Sequence, residues 1–189
     1  CGTGAFLNEM KTSGWQVSGI EPDNGARKRA EHLVGSKIGL PEELSELSSG
    51  QYDVITMWHV LEHVHELNWT IEQLKRLLKE NGKLFIAVPN HHSFDARHYG
   101  SFWAAYDVPR HLYHFSPKSM ELLAAAKGFT LKAFKPMWFD SFYVAMLSEQ
   151  YKNGKNNLMK AFFIGAITTL QSLMNAKKSS SIIYVLKKA

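Results

Sequence analysis

Four residues with chemically useful side chains fall within seven positions of each other: His59, Glu62, His63 and His65. Residues three and four apart share a face of a helical turn, so 59, 62 and 63 would lie together. Two imidazoles and a carboxylate so placed could ligate a divalent metal. They could equally cap and order a helix, since His and Glu often pair and no fourth ligand is evident. The expectation is no resident metal, with His59, Glu62 and His63 as its candidates. A second group lies in the run Asn90–His114, which holds His91, His92, His98, His111 and His114. Imidazole titrates near neutrality and suits removal of a proton from a hydroxyl. One of His59, His111 and His114 is expected to be such a base. Arg110 beside His111 could hold an anionic group, or Asp107–Arg110 could form only an internal ion pair and turn.

A third group opens the chain. Cys1-Gly2-Thr3-Gly4 is followed seventeen residues after Gly4 by Glu21, at the end of Trp15-Gln16-Val17-Ser18-Gly19-Ile20. A glycine turn, a helix, a strand and an acid form the layout of a nucleotide-binding βαβ unit. The glycines admit close approach of the ligand, and the acid accepts from ribose hydroxyls. Such a unit needs a strand before its glycine loop. The sequence has no residues there, so it reads as cut within its own ligand-binding motif.

The elements that must position these groups follow from pattern. Helices are expected over Ala5–Thr12, Asn24–Leu33 and, with apolar Ile71, Leu74, Leu77 and Leu78, Asn68–Lys79, ended by Asn81-Gly82. Ser116 as N-cap and Pro117 at the first position start another helix, which stops at Gly128. Asp140–Tyr151 and Leu158–Met174 read as helices, and Glu42–Leu47 as a helical turn. Strands are expected at Trp15–Ile20, Lys37–Leu40, Tyr52–Met57, Lys83–Val88, Phe129–Lys135 and Ser181–Leu186. The apolar run from Leu84 suits a strand buried on both faces of a parallel sheet. Strands alternating with helices imply an α/β domain. Asn90–His114 and Lys152–Asn157 read as irregular.

The 189 residues are 45% hydrophobic and 21% charged, which fits one globular domain over 1–189. A formal charge of +5 comes from scattered Lys and Arg, which reads as a solvated surface, not a nucleic-acid footprint. The one cysteine excludes a disulfide framework and suits the cytoplasm. The longest apolar stretch, Ala161–Met174, is too short and too polar to span a bilayer. Helix Leu158–Met174 could be a lid, a dimer helix or an interfacial membrane helix flanked by Lys160, Lys177 and Lys178. A lid or a contact with a second subunit in a homodimer is the preferred reading, with weak peripheral membrane association as the alternative. Trp103, Tyr106, Trp138, Phe139, Phe142 and Tyr143 could line an apolar pocket, with core packing expected for at least half of them.

Four segments together resemble one family: Cys1–Gly4, Gly19-Ile-Glu-Pro-Asp23, Tyr52–Val64 with its Val-Leu-Glu-His run, and Leu77–Asn90. In order and spacing they are similar to class I S-adenosylmethionine-dependent methyltransferases, on the branch of the ubiquinone-biosynthesis O-methyltransferases. Arg110–Pro117 followed by Gly128-Phe129 resembles a bacterial subgroup of that branch. The resemblance implies a Rossmann-like three-layer sandwich with strand order 3-2-1-4-5-7-6, mostly parallel, with strand 7 antiparallel and strand 1 absent from this sequence. It implies S-adenosylmethionine as cofactor, held by Gly2, Gly4 and Glu21 and flanked by Met57, Trp58 and His59. It also implies a small-molecule acceptor of the methyl group, taken by direct displacement. Segments 90–115 and 138–178 would lie on the substrate side or form a lid. The sequence departs from the branch at Gly39-Leu40-Pro41, where relatives often carry an acid for the adenine, and at His59, where quinone methyltransferases often have Glu. The alternative reading is a cofactor-free relic or interaction module with the same fold.

Overall fold

A computed structural model describes residues 1–155 and 157–189; Asn156, within the expected irregular run 152–157, lies outside them. The chain divides into two units, Cys1–Ser48 and Ser49–Ala189.

In the first unit, helix α1 (Ala5–Thr12) starts at Gly4, and α2 (Asn24–Val34) starts at Asp23, whose Oδ1 accepts from Ala26 N at 2.7 Å. A Cβ on Gly4 would stand 2.9 Å from the Ala30 Cα, and Gly4 has a φ of +86°. Gly4 therefore sets how closely α1 and α2 approach, with a backbone conformation that other residues adopt at a cost. The expected strands at 15–20 and 37–40 reduce to one parallel bridge, Ile20 to Gly39. Gly39 N donates to Gly19 O at 2.9 Å and Glu21 N to Gly39 O at 3.0 Å. Glycine on both sides of the bridge and Pro22 and Pro41 just beyond it keep the ladder short. The expected turn at 42–47 is a 3-10 helix over Pro41–Ser45.

The second unit is built on a four-stranded sheet of β1 (Tyr52–Trp58), β2 (Leu78–Pro89), β3 (Phe129–Pro136) and β4 (Ser181–Lys188), in the order β1-β2-β4-β3. β1 and β2 are parallel, and β4 runs antiparallel to both β2 and β3. This reproduces the 4-5-7-6 half of the expected order, with the last strand reversed. Helices α3 (Leu67–Leu77) and α5 (Pro117–Ala126) bury Ile71, Leu74, Met120 and Ala124 against Leu84, Ile86, Tyr184 and Leu186. Ser116 caps α5 by accepting from Ser119 N at 3.1 Å.

Helix α3 ends earlier than its periodicity suggests, and Asn81-Gly82 do not cap it. Gly50 N and Gln51 N take the carbonyls of Arg76 and Leu77, each at 2.9 Å. Leu78 then turns fully inward to pair with Tyr52, and the register breaks before Val54 meets Lys83. Residues 79–82 form the bulge between those pairs. A Cβ at Gly82 would meet the Leu78 Cγ at 2.7 Å, so the bulge needs glycine there.

The stretch 90–114 is also more ordered than expected. It holds helix α4 (Phe94–Tyr99), 3-10 turns at Gly100–Phe102 and Ala104–Tyr106, and a cis Val108–Pro109 bond. Tyr99 and Trp103 enter a second core with Val144, Ala145, Ala161 and Ile164, from α6 (Asp140–Asn153) and α7 (Leu158–Met174). Trp103 is thus core, with its indole N–H donating to buried Asp95 at 2.8 Å. Trp138, Phe139 and Tyr143 are exposed.

Fully buried Asn90 locks the carboxyl end of β2. Its Nδ2 donates to Lys177 O at 3.0 Å and Ser179 O at 2.9 Å, while its Oδ1 accepts from His92 N at 3.1 Å. Replacing it with Ala strands those carbonyls beside a buried strand end. Asn90→Ala is expected to lower stability by about 2–4 kcal/mol in denaturant unfolding; a loss under about 1 kcal/mol would contradict the lock.

Candidate active site

In the first unit, the glycine turn and the acid are in direct contact. Glu21 Oε2 accepts from Gly2 N at 2.7 Å and from the backbone nitrogen of Cys1 at 3.0 Å, and its Oε1 accepts from Asp23 N at 3.0 Å. Burial pushes the Glu21 carboxyl up, but the hydrogen bonds from Asp23, Cys1 and Gly2 outweigh it and hold the group below its usual range. The carboxylate is therefore charged at neutral pH. Three donors leave one of its roughly four acceptor positions open. Nothing lies within 4 Å of where a Cβ on Gly2 would stand, whereas Gly4 is turned to Ala30. Gly2 and Glu21 thus form an acceptor cradle beside open space, and Gly4 serves the packing beneath it.

In the second unit, the carboxyl ends of β1, β2 and β3 and the start of β4 share one edge of the sheet, where open α/β folds bind ligands. Met57 is buried in the core and Trp58, on the alternate face, is half-buried. His59 follows immediately, with its N–H on Ala87 O at 3.0 Å and a left-handed φ of +52°. Asp107 and Phe139 are the other non-glycine residues of positive φ among those described. Such conformations cost free energy and tend to gather where geometry serves function.

The His59 ring has two distinct neighbours. Nδ1 lies 3.2 Å from Glu62 Oε1, and Nε2 lies 3.2 Å from Met137 Sδ. Glu62 is fully buried. Burial pushes the His59 pKa down, but the hydrogen bond to Glu62 and the charges of Asp140 and Glu62 outweigh it, and the ring sits above the ordinary 6.5. Asp140 opens α6 and accepts from Ser181 Oγ at the start of β4. Burial raises the Asp140 carboxyl against that hydrogen bond and the charge of His59.

The remaining histidines are tied differently. His111 Nδ1 meets Ala105 O at 2.9 Å, and burial lowers its pKa. His114 Nε2 meets Tyr106 O at 2.9 Å, and His63 Nδ1 meets Arg110 O at 3.0 Å. These rings spend a nitrogen each on backbone carbonyls and so pin the 105–114 segment. Arg110 pairs with Asp107 at 2.6 Å, which is the internal ion pair of the two sequence readings. Of the metal candidates, Glu62 and His63 group with His111, offering atoms within 4.8 Å of one another; His59 is not in that set.

Sequence reading found His59 and Glu62 but passed over Met137, Asp140 and Ser181. Met137 is 78 positions from His59, and no local pattern announces it.

The sequence model of the family described as "Methyltransferase domain" matches residues 1–133. The chain belongs to the methyltransferase domain family. S-adenosylmethionine is the cofactor of this family, as the resemblance implied. The ubiquinone biosynthesis O-methyltransferase of Bordetella avium is 31% identical over 139 residues, covering 67% of this chain and 57% of that protein. Its namesake in Bordetella bronchiseptica is 28% identical over 190 residues, covering 94% and 73%. Among solved structures, a SAM dependent methyltransferase from Archaeoglobus fulgidus covers 100% of this chain and 83% of its own, with TM-score 0.63 and 19% identity. A possible histamine N-methyltransferase from Thermotoga maritima covers 100% and 78%, with TM-score 0.66 and 16% identity. The [4+2]-cyclase SpnF also covers 100% and 72%, at TM-score 0.66 and 15% identity. The methyltransferase fold is thus secure, and the cyclase shows that a fold alone does not choose the reaction.

The His59–Glu62 pair makes a prediction about titration. Glu62→Gln removes the largest of the causes that raise the His59 pKa, so burial prevails. NMR titration should place the His59 ring at lower pH in the variant than in the native protein. In the native protein the raised pKa adds stability that is full below about pH 6.5 and fades as pH rises through the folded-state value. The variant should lack that stabilisation at acid pH. An unchanged His59 titration would contradict the assignment.

Proposed function

We propose that the protein is an S-adenosylmethionine-dependent methyltransferase that methylates a hydroxyl of a small molecule, with His59 as general base. The observation that carries this is the His59 ring itself. A buried carboxylate holds Nδ1, and a thioether, a weak acceptor, is all that meets Nε2 among the described residues. An acceptor hydroxyl could displace that sulfur at small cost.

The residues fit the cofactor in chemical type. Glu21, charged and with acceptor capacity to spare, suits ribose hydroxyls, and Gly2 leaves room beside it. Met57, Trp58 and His59 end β1 on the edge expected to flank the sulfonium side. When bound, the cofactor supplies a methyl group on a positively charged sulfur, which is already a good leaving group. The protein's contribution is then mostly alignment, together with removal of the hydroxyl proton. His59 takes that proton at Nε2. Glu62, across the ring at Nδ1, fixes the tautomer and stabilises the imidazolium. Its role resembles that of a carboxylate orienting a catalytic histidine elsewhere. No step is assigned to a metal. His111 and His114, expected as alternative bases, serve better as anchors of the 105–114 segment, because backbone carbonyls already occupy one nitrogen of each ring. The scattered charge supports a small-molecule acceptor over nucleic acid, and the single cysteine supports a cytoplasmic setting.

The test is turnover with S-adenosylmethionine and a panel of small phenols and alcohols. His59→Asn should lower kcat by about 10²–10⁴ with little change in affinity for S-adenosylhomocysteine. The native rate should rise with pH as His59 deprotonates, above its ordinary 6.5. A variant with native kcat would remove His59 from the base role.

A further inference from the structure

Helix α7 has two apolar faces, and the bulkier one is in solvent. The face turned into the second core is Ala161, Ile164, Gly165, Thr168 and Ser172, four of them small or hydroxylated. The opposite face carries Met159, Phe163, Ile167, Leu170 and Met174, spaced three or four apart, with Phe163, Leu170 and Met174 exposed by 62%, 59% and 78%. The rotation of the helix is fixed from within. Ser141 Oγ donates to Gly165 O at 3.1 Å and lies 2.9 Å from Thr169 Oγ1. A Cβ on Gly165 would reach Phe142 Cα at 3.0 Å. The large side chains therefore cannot roll inward without breaking the seam between α6 and α7. Rings extend the outer face toward the start of α6. Phe139, Phe142, Phe162 and Phe163 follow one another at centroid distances of 6.4, 5.6 and 6.1 Å, and Trp138 and Tyr143 are exposed nearby in sequence. A contiguous apolar surface of this kind marks an interaction site.

Charge selects the occupant. From Gln150 to Ala189 the sequence has seven lysines and no Asp or Glu. Lys152, Lys155 and Lys160 lie before and in the first turn of α7, and Lys177 and Lys178 follow its last turn. Lys160 pairs with Glu149 at 3.0 Å and Lys177 with Glu121 at 2.8 Å, while Lys152, Lys155 and Lys178 make no ion pair among the described residues. Both ends of the apolar stripe are thus basic. Two copies stacked along this face would set lysines against lysines whether the helices ran parallel or antiparallel. An anionic lipid surface complements both ends and takes up the apolar middle. The 17 residues of α7 extend roughly 25 Å, and no helix among those described is long and apolar enough to cross a membrane. The helix suits lying in the plane of the interface. We propose that the outer face of α7, with the aromatic start of α6, docks the protein on an anionic lipid bilayer surface. This goes beyond the methyl-transfer reading and does not depend on it.

The test is co-sedimentation with vesicles of equal parts phosphatidylglycerol and phosphatidylcholine, against vesicles of phosphatidylcholine alone. Binding to the anionic vesicles is expected to be at least about tenfold stronger and to weaken in about 0.5 M sodium chloride. The double substitution Phe163→Ser, Leu170→Ser alters only exposed side chains and should cut binding about tenfold at an unchanged melting temperature. Lys152→Glu with Lys178→Glu, which touches no packing, should do the same. Failure to sediment with the anionic vesicles overturns the proposal. So does equal binding to both vesicles, or a dimer in ultracentrifugation that the Phe163/Leu170 variant dissolves, which would give the face to a second copy.

Discussion

Glu62 has no access to water; its Oε1 meets the His59 ring, and its Oε2 has no hydrogen-bond partner among the described residues. A buried polar group costs free energy unless it finds a hydrogen-bond partner. The His59 ring supplies the pairing from the end of β1. The Glu62 main chain also serves, since its carbonyl accepts from Leu112 N at 2.8 Å and so brings the 105–114 segment over the same edge. The His63 and His111 rings, 4.6 Å apart, pack edge to face beside it. One residue therefore couples a strand end, the His59 ring and the 105–114 segment. The left-handed backbone of His59 fits this picture, because the ring must turn back from the strand to reach Glu62.

The edge itself is held from below by the reversed strand. β4 lies between β2 and β3 and makes antiparallel ladders with both. Its first residue, Ser181, pairs with Pro89 and donates to Asp140. Asn90 ties the serines and lysine just before it to the end of β2. The opposite end of the sheet, where Phe129 meets Lys188, carries a shallow basic groove lined by Lys75, Lys127 and Lys188, which is remote from His59.

How much of this was legible follows from the range of each interaction. Helices α1 and α7 have the bounds the sequence suggested, because caps, glycines and periodicity are local. The early end of α3 was not legible, because the carbonyls that would continue it are taken by Gly50 and Gln51, more than twenty positions earlier. The bulge at 79–82 was hidden for the same reason, and Asn81-Gly82 imitated a helix stop. The 90–114 run looked irregular because its order comes from tertiary contacts: Trp103 on Asp95, and Ala104 N on Ser148 Oγ at 2.8 Å. Among the candidate residues, Glu21 in the first unit and the Val-Leu-Glu-His run in the second stood out by type and spacing. Met137 and Asp140 reach His59, and Ser181 reaches Asp140, only through the fold. The histidines of the 105–114 segment were visible, but whether each ring faced a carbonyl or open space was decided by backbone that the sequence does not show.

The proposed methyl-donor site rests on the Gly2–Glu21 cradle. It is tested most directly by calorimetric titration with S-adenosylhomocysteine, run in parallel on the native protein and on Glu21→Ala. Saturable binding is expected with a dissociation constant on the order of micromolar, weakened about tenfold or more when the charged acceptor is lost. No saturable binding by the native protein, or equal binding by the variant, would contradict it.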